Sequence, residues 1–141
     1  MRILIVGGTV FLGRALMHAA LVNGHDVTLL NRGKSGGLVP AQVERLIANR
    51  NEDLSILHGR EWDAVIDTCG YYPRQVRALL AALSGRPHYT FVSSASAYAD
   101  PSQVGLTEDS PLSAPLMDET VTTISGGNYG PLKAACERVA G

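Results

Sequence analysis

Disulfide frameworks and metal sites are the first things this sequence leaves no room for. Its 141 residues include two cysteines, Cys69 and Cys136, which form neither a CxxC unit nor a zinc pattern. The four histidines lack metal-ligand spacing, so no metal is assigned. Reduced thiols in a cytoplasmic protein are the expectation. Charge of one sign is missing too. A net charge of −1 gives no electrostatic basis for holding nucleic acid or an anionic membrane. Aromatic residues make up 6% of the chain and are not interleaved with basic ones along a face, as RNA-stacking surfaces require. The longest apolar runs are far too short to span a bilayer, and Met1-Arg2 leads into a strand pattern rather than a signal peptide. No repeat, low-complexity run or linker divides the chain, so one domain is expected.

What the sequence does have is glycine, 15 residues of it, with 45% hydrophobic content, a balance that suits an α/β protein with tight turns. The opening stretch Arg2-Ile3-Leu4-Ile5-Val6 reads as a strand buried on both faces. It runs into Gly7-Gly8, where backbone N–H groups can approach a ligand. A helical period follows, with Leu12, Ala15, Leu16, Ala19 and Val22 on one stripe. Strand, glycine turn and helix N-terminus together form an anion site and suggest the first βα unit of a dinucleotide-binding fold. Gly7, Gly8, Thr9, Phe11, Leu12 and Gly13 are the candidate phosphate contacts. The spacing departs from G-x-G-x-x-G, and a tight turn with no ligand would leave the same trace.

The order of elements extends the reading. Gly24 stops the first helix in a left-handed conformation, and Asp26–Leu30 is the second strand. Its tip, Asn31-Arg32-Gly33-Lys34, carries no acid to bond a ribose 2′-OH; Arg32 and Lys34 are basic, which favours the 2′-phosphate of NADP(H) over NAD, unless they form only a solvated loop. Ser35–Pro40 predicts an irregular crossover, Val43–Ile47 a third strand, and Asn51 a cap for a short helix through Leu57. Trp62–Asp67 is the fourth strand, and Thr68, Cys69 and Gly70 at its end join the cofactor set. Pro73 opens a helix whose buried face is Val76, Leu79, Leu80 and Leu83, and His88–Ser94 is the fifth strand. Ala99–Gly127 loses all periodicity, and so long an irregular stretch points to a site. Asn128 then caps a helix from Tyr129 to Ala140. The alternation predicts a doubly wound parallel sheet with helices on both faces.

Tyr129 and Lys133 are four apart, on one helix face, and an ammonium beside a phenol favours proton transfer near neutrality. A surface pair with no chemistry has the same spacing. Ser93 and Ser94 end a strand at the carboxyl edge of the sheet, where open α/β folds receive ligands.

Val6-Gly7-Gly8-Thr9-Val10-Phe11-Leu12-Gly13, Phe91-Val92-Ser93-Ser94-Ala95-Ser96-Ala97-Tyr98 and Tyr129-Gly130-Pro131-Leu132-Lys133 resemble the extended short-chain dehydrogenase/reductase family, in its NAD-dependent epimerase/dehydratase branch. The resemblance implies a Rossmann-like sheet of about five strands in the order 3-2-1-4-5. It implies Tyr129 as general acid/base, Lys133 as its partner and a holder of the nicotinamide ribose, and Ser94 as the donor to the substrate oxygen. It further implies hydride transfer with NAD(P), a nucleotide sugar as small-molecule substrate, and a homodimer. Val6 and Val10 replace a threonine and a glycine of the family's pattern, and Val10 would crowd a pyrophosphate. Variants of the family with G-G-T-x-F-[IL]-G, among them stem-loop RNA-binding proteins, share the change; a non-catalytic dinucleotide sensor or RNA binder is therefore the alternative. Members run to about twice this length. The expectation is thus an amino-terminal cofactor-binding domain, residues 1–141, without the domain that closes over the substrate, and itself poor at turnover.

Overall fold

The computed structural model describes residues 1–34 and 37–141, so Ser35 and Gly36 of the expected irregular crossover lie outside the described residues. Two compact units emerge: Met1–Cys69 with Ala78–Val92, and Gly70–Arg77 with Ser93–Gly141.

The first unit is a parallel sheet of β1 (Arg2–Val6), β2 (Asp26–Asn31), β3 (Glu44–Ile47), β4 (Ala64–Asp67) and β5 (His88–Phe91), in the predicted order β3-β2-β1-β4-β5. β1 is central, with Ile5 opposite Leu29 on one side and Ile66 on the other. Strand alternation sends Leu4, Val6, Leu30, Leu46 and Val65 to one face, where they pack with Leu57, Leu79 and Ala82. Ile3, Ile5, Val27, Leu29 and Ala64 go to the other, against Met17. Each fully buried Leu or Ile contributes about 1.5–3 kcal/mol of transfer free energy, so this two-faced burial is what holds the sheet.

Helix α1 (Phe11–Val22) forms as expected but is rotated about its axis. Its buried residues are Gly13 and Met17, whereas Val22 of the expected stripe is 87% exposed. The cause is Gly13: a Cβ there would lie 2.7 Å from the Gly8 nitrogen. The helix turns its glycine inward because only glycine allows that approach, and apolar periodicity yields to it. Asn51 caps nothing. The helix predicted after it is a single 3-10 turn, Ser55–Leu57, because the Asp53 carboxylate accepts the Ser55 N–H at 2.8 Å and closes a local turn. β4 starts two positions later than predicted, Trp62 being buried ahead of it, and β5 ends at Phe91 rather than Ser94. Helix α2 (Pro73–Ala82) begins at its proline; Val76 and Leu79 are fully buried, Leu80 and Leu83 only partly.

The second unit is built on helix α3 (Tyr129–Ala140), which buries Leu132, Lys133, Ala134, Ala135 and Cys136. Ser94 caps a 3-10 turn, Ala95–Ala97, by accepting the Ser96 N–H at 3.2 Å. This turn lies against the first turn of α3, and a Cβ on Gly130 would fall 2.2 Å from the Ser96 carbonyl oxygen. The irregular stretch is pinned by a Tyr98–Leu112 bridge and by the Leu116 N–H donating to the Pro131 carbonyl at 3.0 Å. Asn128 stands at the N-cap position of α3 but does not cap it. Its Oδ1 accepts from the Ser125 N–H at 2.8 Å and its Nδ2 donates to the Thr123 carbonyl at 3.0 Å. Among the described residues no helix is long and apolar enough to cross a membrane.

Candidate functional site

In the first unit the carboxyl end of β1 turns through Gly7 and Gly8, both left-handed at φ +105° and +88°. A Cβ on Gly7 would come within 2.4 Å of Thr68 Oγ1, and one on Gly8 within 2.5 Å of Leu29. Thr68 donates through Oγ1 to the Val6 carbonyl at 2.8 Å and so fixes the end of β4 against this turn. Gly37 closes on the same loop, since a Cβ there would meet the Thr9 carbonyl oxygen at 2.5 Å.

The N-terminus of α1 has no side-chain cap and no acidic residue in its first turn. Val10 takes an extended conformation (φ −136°) that any residue adopts, and the left-handed residue is Phe11, at φ +45°. The valine expected to crowd a ligand is therefore free of backbone strain, and its side chain is 62% exposed. Helical geometry leaves the first N–H groups of α1 without intrahelical partners, and the helix dipole adds positive potential there.

At the tip of β2 the Asn31 carboxamide accepts the Gly33 N–H at 2.9 Å through Oδ1. Its Nδ2 is buried with no hydrogen-bond partner among the described residues. A buried donor of this kind calls for an acceptor such as a ribose hydroxyl. Arg32 and Lys34 are exposed beside it. The glycine turn, the uncapped helix and the orphaned amide fit the diphosphate and ribose of a dinucleotide.

Behind the loop lies a network that motif reading missed. Arg50 donates to both oxygens of Asp67, 2.7 Å each, with Asp67 wholly buried and Arg50 8% exposed. Tyr89 donates its hydroxyl to Asp67 Oδ2 at 2.9 Å, and the Cys69 N–H donates to Oδ1 at 3.1 Å. Burial opposes the Arg50 charge, but the Asp67 hydrogen bonds and attraction, with help from Cys69, outweigh it and raise the guanidinium pKa. Burial also pushes the Cys69 thiol up, against the pull of Arg50. The network holds the Thr68–Cys69 backbone at the end of β4. An acid closing β4 and a basic residue after β3 were the only traces in the sequence.

In the second unit the structure brings Tyr129, Lys133 and Gly70 together, with Tyr71 as an addition. Lys133 is 3% exposed and donates through Nζ to the Gly70 carbonyl at 2.9 Å. The same ammonium lies over the Tyr71 ring, 5.8 Å from its centroid. The Tyr71 and Tyr129 rings are tilted by 41° with centroids 6.5 Å apart. Ser93 donates to the Glu137 carboxylate of α3 in a short hydrogen bond, which commits its hydroxyl. Ser94 accepts from Ser96, leaving its own proton for another acceptor.

The model of the NAD dependent epimerase/dehydratase family matches residues 3–123. The chloroplast stem-loop binding protein of 41 kDa b of Arabidopsis thaliana is 31% identical over 113 residues, 69% of this chain and 30% of its own. A bifunctional pinoresinol-lariciresinol reductase of Forsythia intermedia is 29% identical over 86 residues, 60% of this chain and 26% of its own. Among solved structures, the UDP-glucose 4-epimerase of Bifidobacterium longum, in complex with NAD+ and UDP, superposes with a TM-score of 0.75 at 18% identity, covering 99% of this chain and 48% of that one. The chain thus spans about a quarter to a half of the length of these relatives.

Proposed function

The chain belongs to the NAD-dependent epimerase/dehydratase family, and on that premise we propose that it binds a nicotinamide dinucleotide and serves hydride transfer at a hydroxyl-bearing or carbonyl carbon of a nucleotide sugar. The observation that carries the reading is the uncapped N-terminus of α1 behind two left-handed glycines. In this reading the N–H groups of Gly8, Thr9, Phe11, Leu12 and Gly13 hold the diphosphate, and Gly7 shapes the turn. Asn31 bonds the adenine ribose, and Arg32 with Lys34 takes a 2′-phosphate, giving a preference for NADP(H). Thr68, Cys69 and Gly70 complete the cofactor set.

When bound, the nicotinamide supplies the hydride acceptor or donor. The protein's residues handle the proton. Tyr129 takes it from, or returns it to, the substrate oxygen at its phenolic oxygen, and Ser94 donates a hydrogen bond to that same oxygen. Lys133 supplies positive charge beside the phenol and a donor for the nicotinamide ribose. The substrate class rests on relatives, among them the epimerase solved with UDP.

Calorimetric titration with NAD+ and NADP+ tests the reading. Both bind the wild type, NADP+ more tightly, and Arg32→Ala lowers NADP+ affinity about tenfold while sparing NAD+, as loss of one charge-assisted bond requires. No binding of either dinucleotide would refute the function. An Arg32→Ala variant with unchanged NADP+ affinity would refute the 2′-phosphate assignment alone.

A second reading, RNA binding, is favoured by the relative named as a stem-loop binding protein. It predicts stem-loop RNA retention that falls steeply with salt.

A further inference from the structure

We propose that Tyr71 is a positioning residue for the Tyr129–Lys133 pair: its ring face and the neighbouring Gly70 carbonyl together hold the Lys133 ammonium, and its tilted contact with Tyr129 sets the orientation of that phenol. The proposal rests on the reading of Tyr129 and Lys133 as the proton-handling residues. Its grounds, however, lie in one compact unit and need no ligand.

A lysine that is 3% exposed must have its charge met inside the protein. Among the groups that meet it are the Gly70 carbonyl, 2.9 Å from Nζ, and the face of the Tyr71 ring, whose centroid lies 5.8 Å from Nζ. An aromatic face within about 6 Å attracts a cation through its quadrupole, and more strongly where water is excluded. Both groups come from adjacent residues, so one bend of the chain brings them to the ammonium together.

That bend is itself fixed. Gln75, 5% exposed on α2, accepts the N–H of Tyr71 at 3.0 Å and of Tyr72 at 3.3 Å through Oε1. Tyr72 donates its hydroxyl to the Thr122 carbonyl at 2.7 Å, and Arg74, stacked 4.2 Å from the Tyr72 ring centroid, donates to the Val121 carbonyl at 2.8 Å. Tyr71, a residue 39% exposed, thus enters the cluster from a backbone held at several points. A residue with this placement sets where the ammonium sits without itself exchanging a proton.

The chain has only two lysines, Lys34 and Lys133, so amine acylation followed by peptide mass spectrometry reads Lys133 with an exposed internal control. In the wild type Lys133 is acylated far more slowly than Lys34. Tyr71→Phe, which keeps the ring, preserves that protection. Tyr71→Leu raises the Lys133 rate about five- to tenfold while Lys34 is unchanged, in line with the loss of a desolvated cation–π contact. The proposal is overturned if Tyr71→Leu leaves the Lys133 rate at the wild-type value, or if Tyr71→Phe releases it as fully as leucine does. Should Tyr71→Leu not fold, nuclear Overhauser contacts in the wild type decide: contacts of the Tyr71 ring with the Lys133 ε-methylene and with the Tyr129 ring uphold it, and their absence overturns it. Dinucleotide titration of the same samples reports separately, since a wild type that binds neither NAD+ nor NADP+ defeats the proposed function without touching the acylation result.

Discussion

Replacing Asp67 by asparagine is a near-isosteric change that should cost this chain much of its stability. Asp67 is fully buried and receives four hydrogen bonds, two from Arg50, one from Tyr89 and one from the Cys69 amide. Asparagine keeps one acceptor oxygen and turns the other into a donor that faces donors. Arg50 stays 8% exposed and loses the carboxylate to which it donates. Breaking a buried pair from one side costs about 3–5 kcal/mol, mostly the desolvation of the abandoned ion. Against a total stability of about 5–15 kcal/mol, that is at least about a fifth of what holds the fold. The midpoint of thermal unfolding should fall on the order of 10–20 °C. Urea and thermal unfolding followed by circular dichroism measure this. Tyr89→Phe is the scale bar: it removes a hydrogen bond to the carboxylate without stranding an ion and costs about 1.5–3 kcal/mol. A joint Arg50→Met, Asp67→Leu replacement removes both charges and recovers most of the loss. If Asp67→Asn stays within about 1 kcal/mol of wild type, the pair does not carry the energy assigned to it.

Other outcomes follow from the packing and titration described above. Gly130→Ala should destabilise by about 1–3 kcal/mol although alanine is the better helix former, because the new methyl would meet the Ser96 carbonyl at 2.2 Å; a stabilised variant would refute the contact. Gly13→Ala should both destabilise and weaken dinucleotide binding, since its methyl would press on the Gly8 nitrogen at 2.7 Å; unchanged calorimetric affinity would separate the turn from the nucleotide. The raised Cys69 thiol binds its proton more tightly in the folded chain than in the unfolded one. Its contribution is therefore complete below the unfolded thiol's range and disappears as pH rises through the folded value. Stability should decline more steeply at alkaline pH in wild type than in Cys69→Ala, as pH-dependent urea melts would reveal.

Sequence patterns carried the sheet because burial on both faces writes itself as continuous apolar runs, and β1, β2 and β4 have such runs. The Tyr129–Lys133 pair was legible for a similar reason, helical spacing being a local property. What escaped was set by contact across sequence distance. α1 buries Gly13 and Met17 and leaves Leu12 and Val22 of its expected stripe exposed, because backbone proximity at Gly8 decides the rotation. Asn51 and Asn128 are good cap residues by type, yet Asp53 accepts the Ser55 N–H of the turn that follows Asn51, and the Asn128 carboxamide is engaged by Ser125 and Thr123. Arg50 and Asp67 belong to non-adjacent parts of the sheet order, so no periodicity couples them. Tyr71 carries no motif at all; only the fold of its own unit brings it to Lys133.

The Arg50–Asp67 bond also bears on how such a sequence can drift. A single substitution at either position strands an ion in the interior, so the route to an uncharged interior there passes through a poorly folded intermediate. Across descendants of one ancestor, these two positions should be inherited as a unit, both kept or both exchanged. Tyr89, whose replacement removes a hydrogen bond to the carboxylate but strands no ion, should wander more freely.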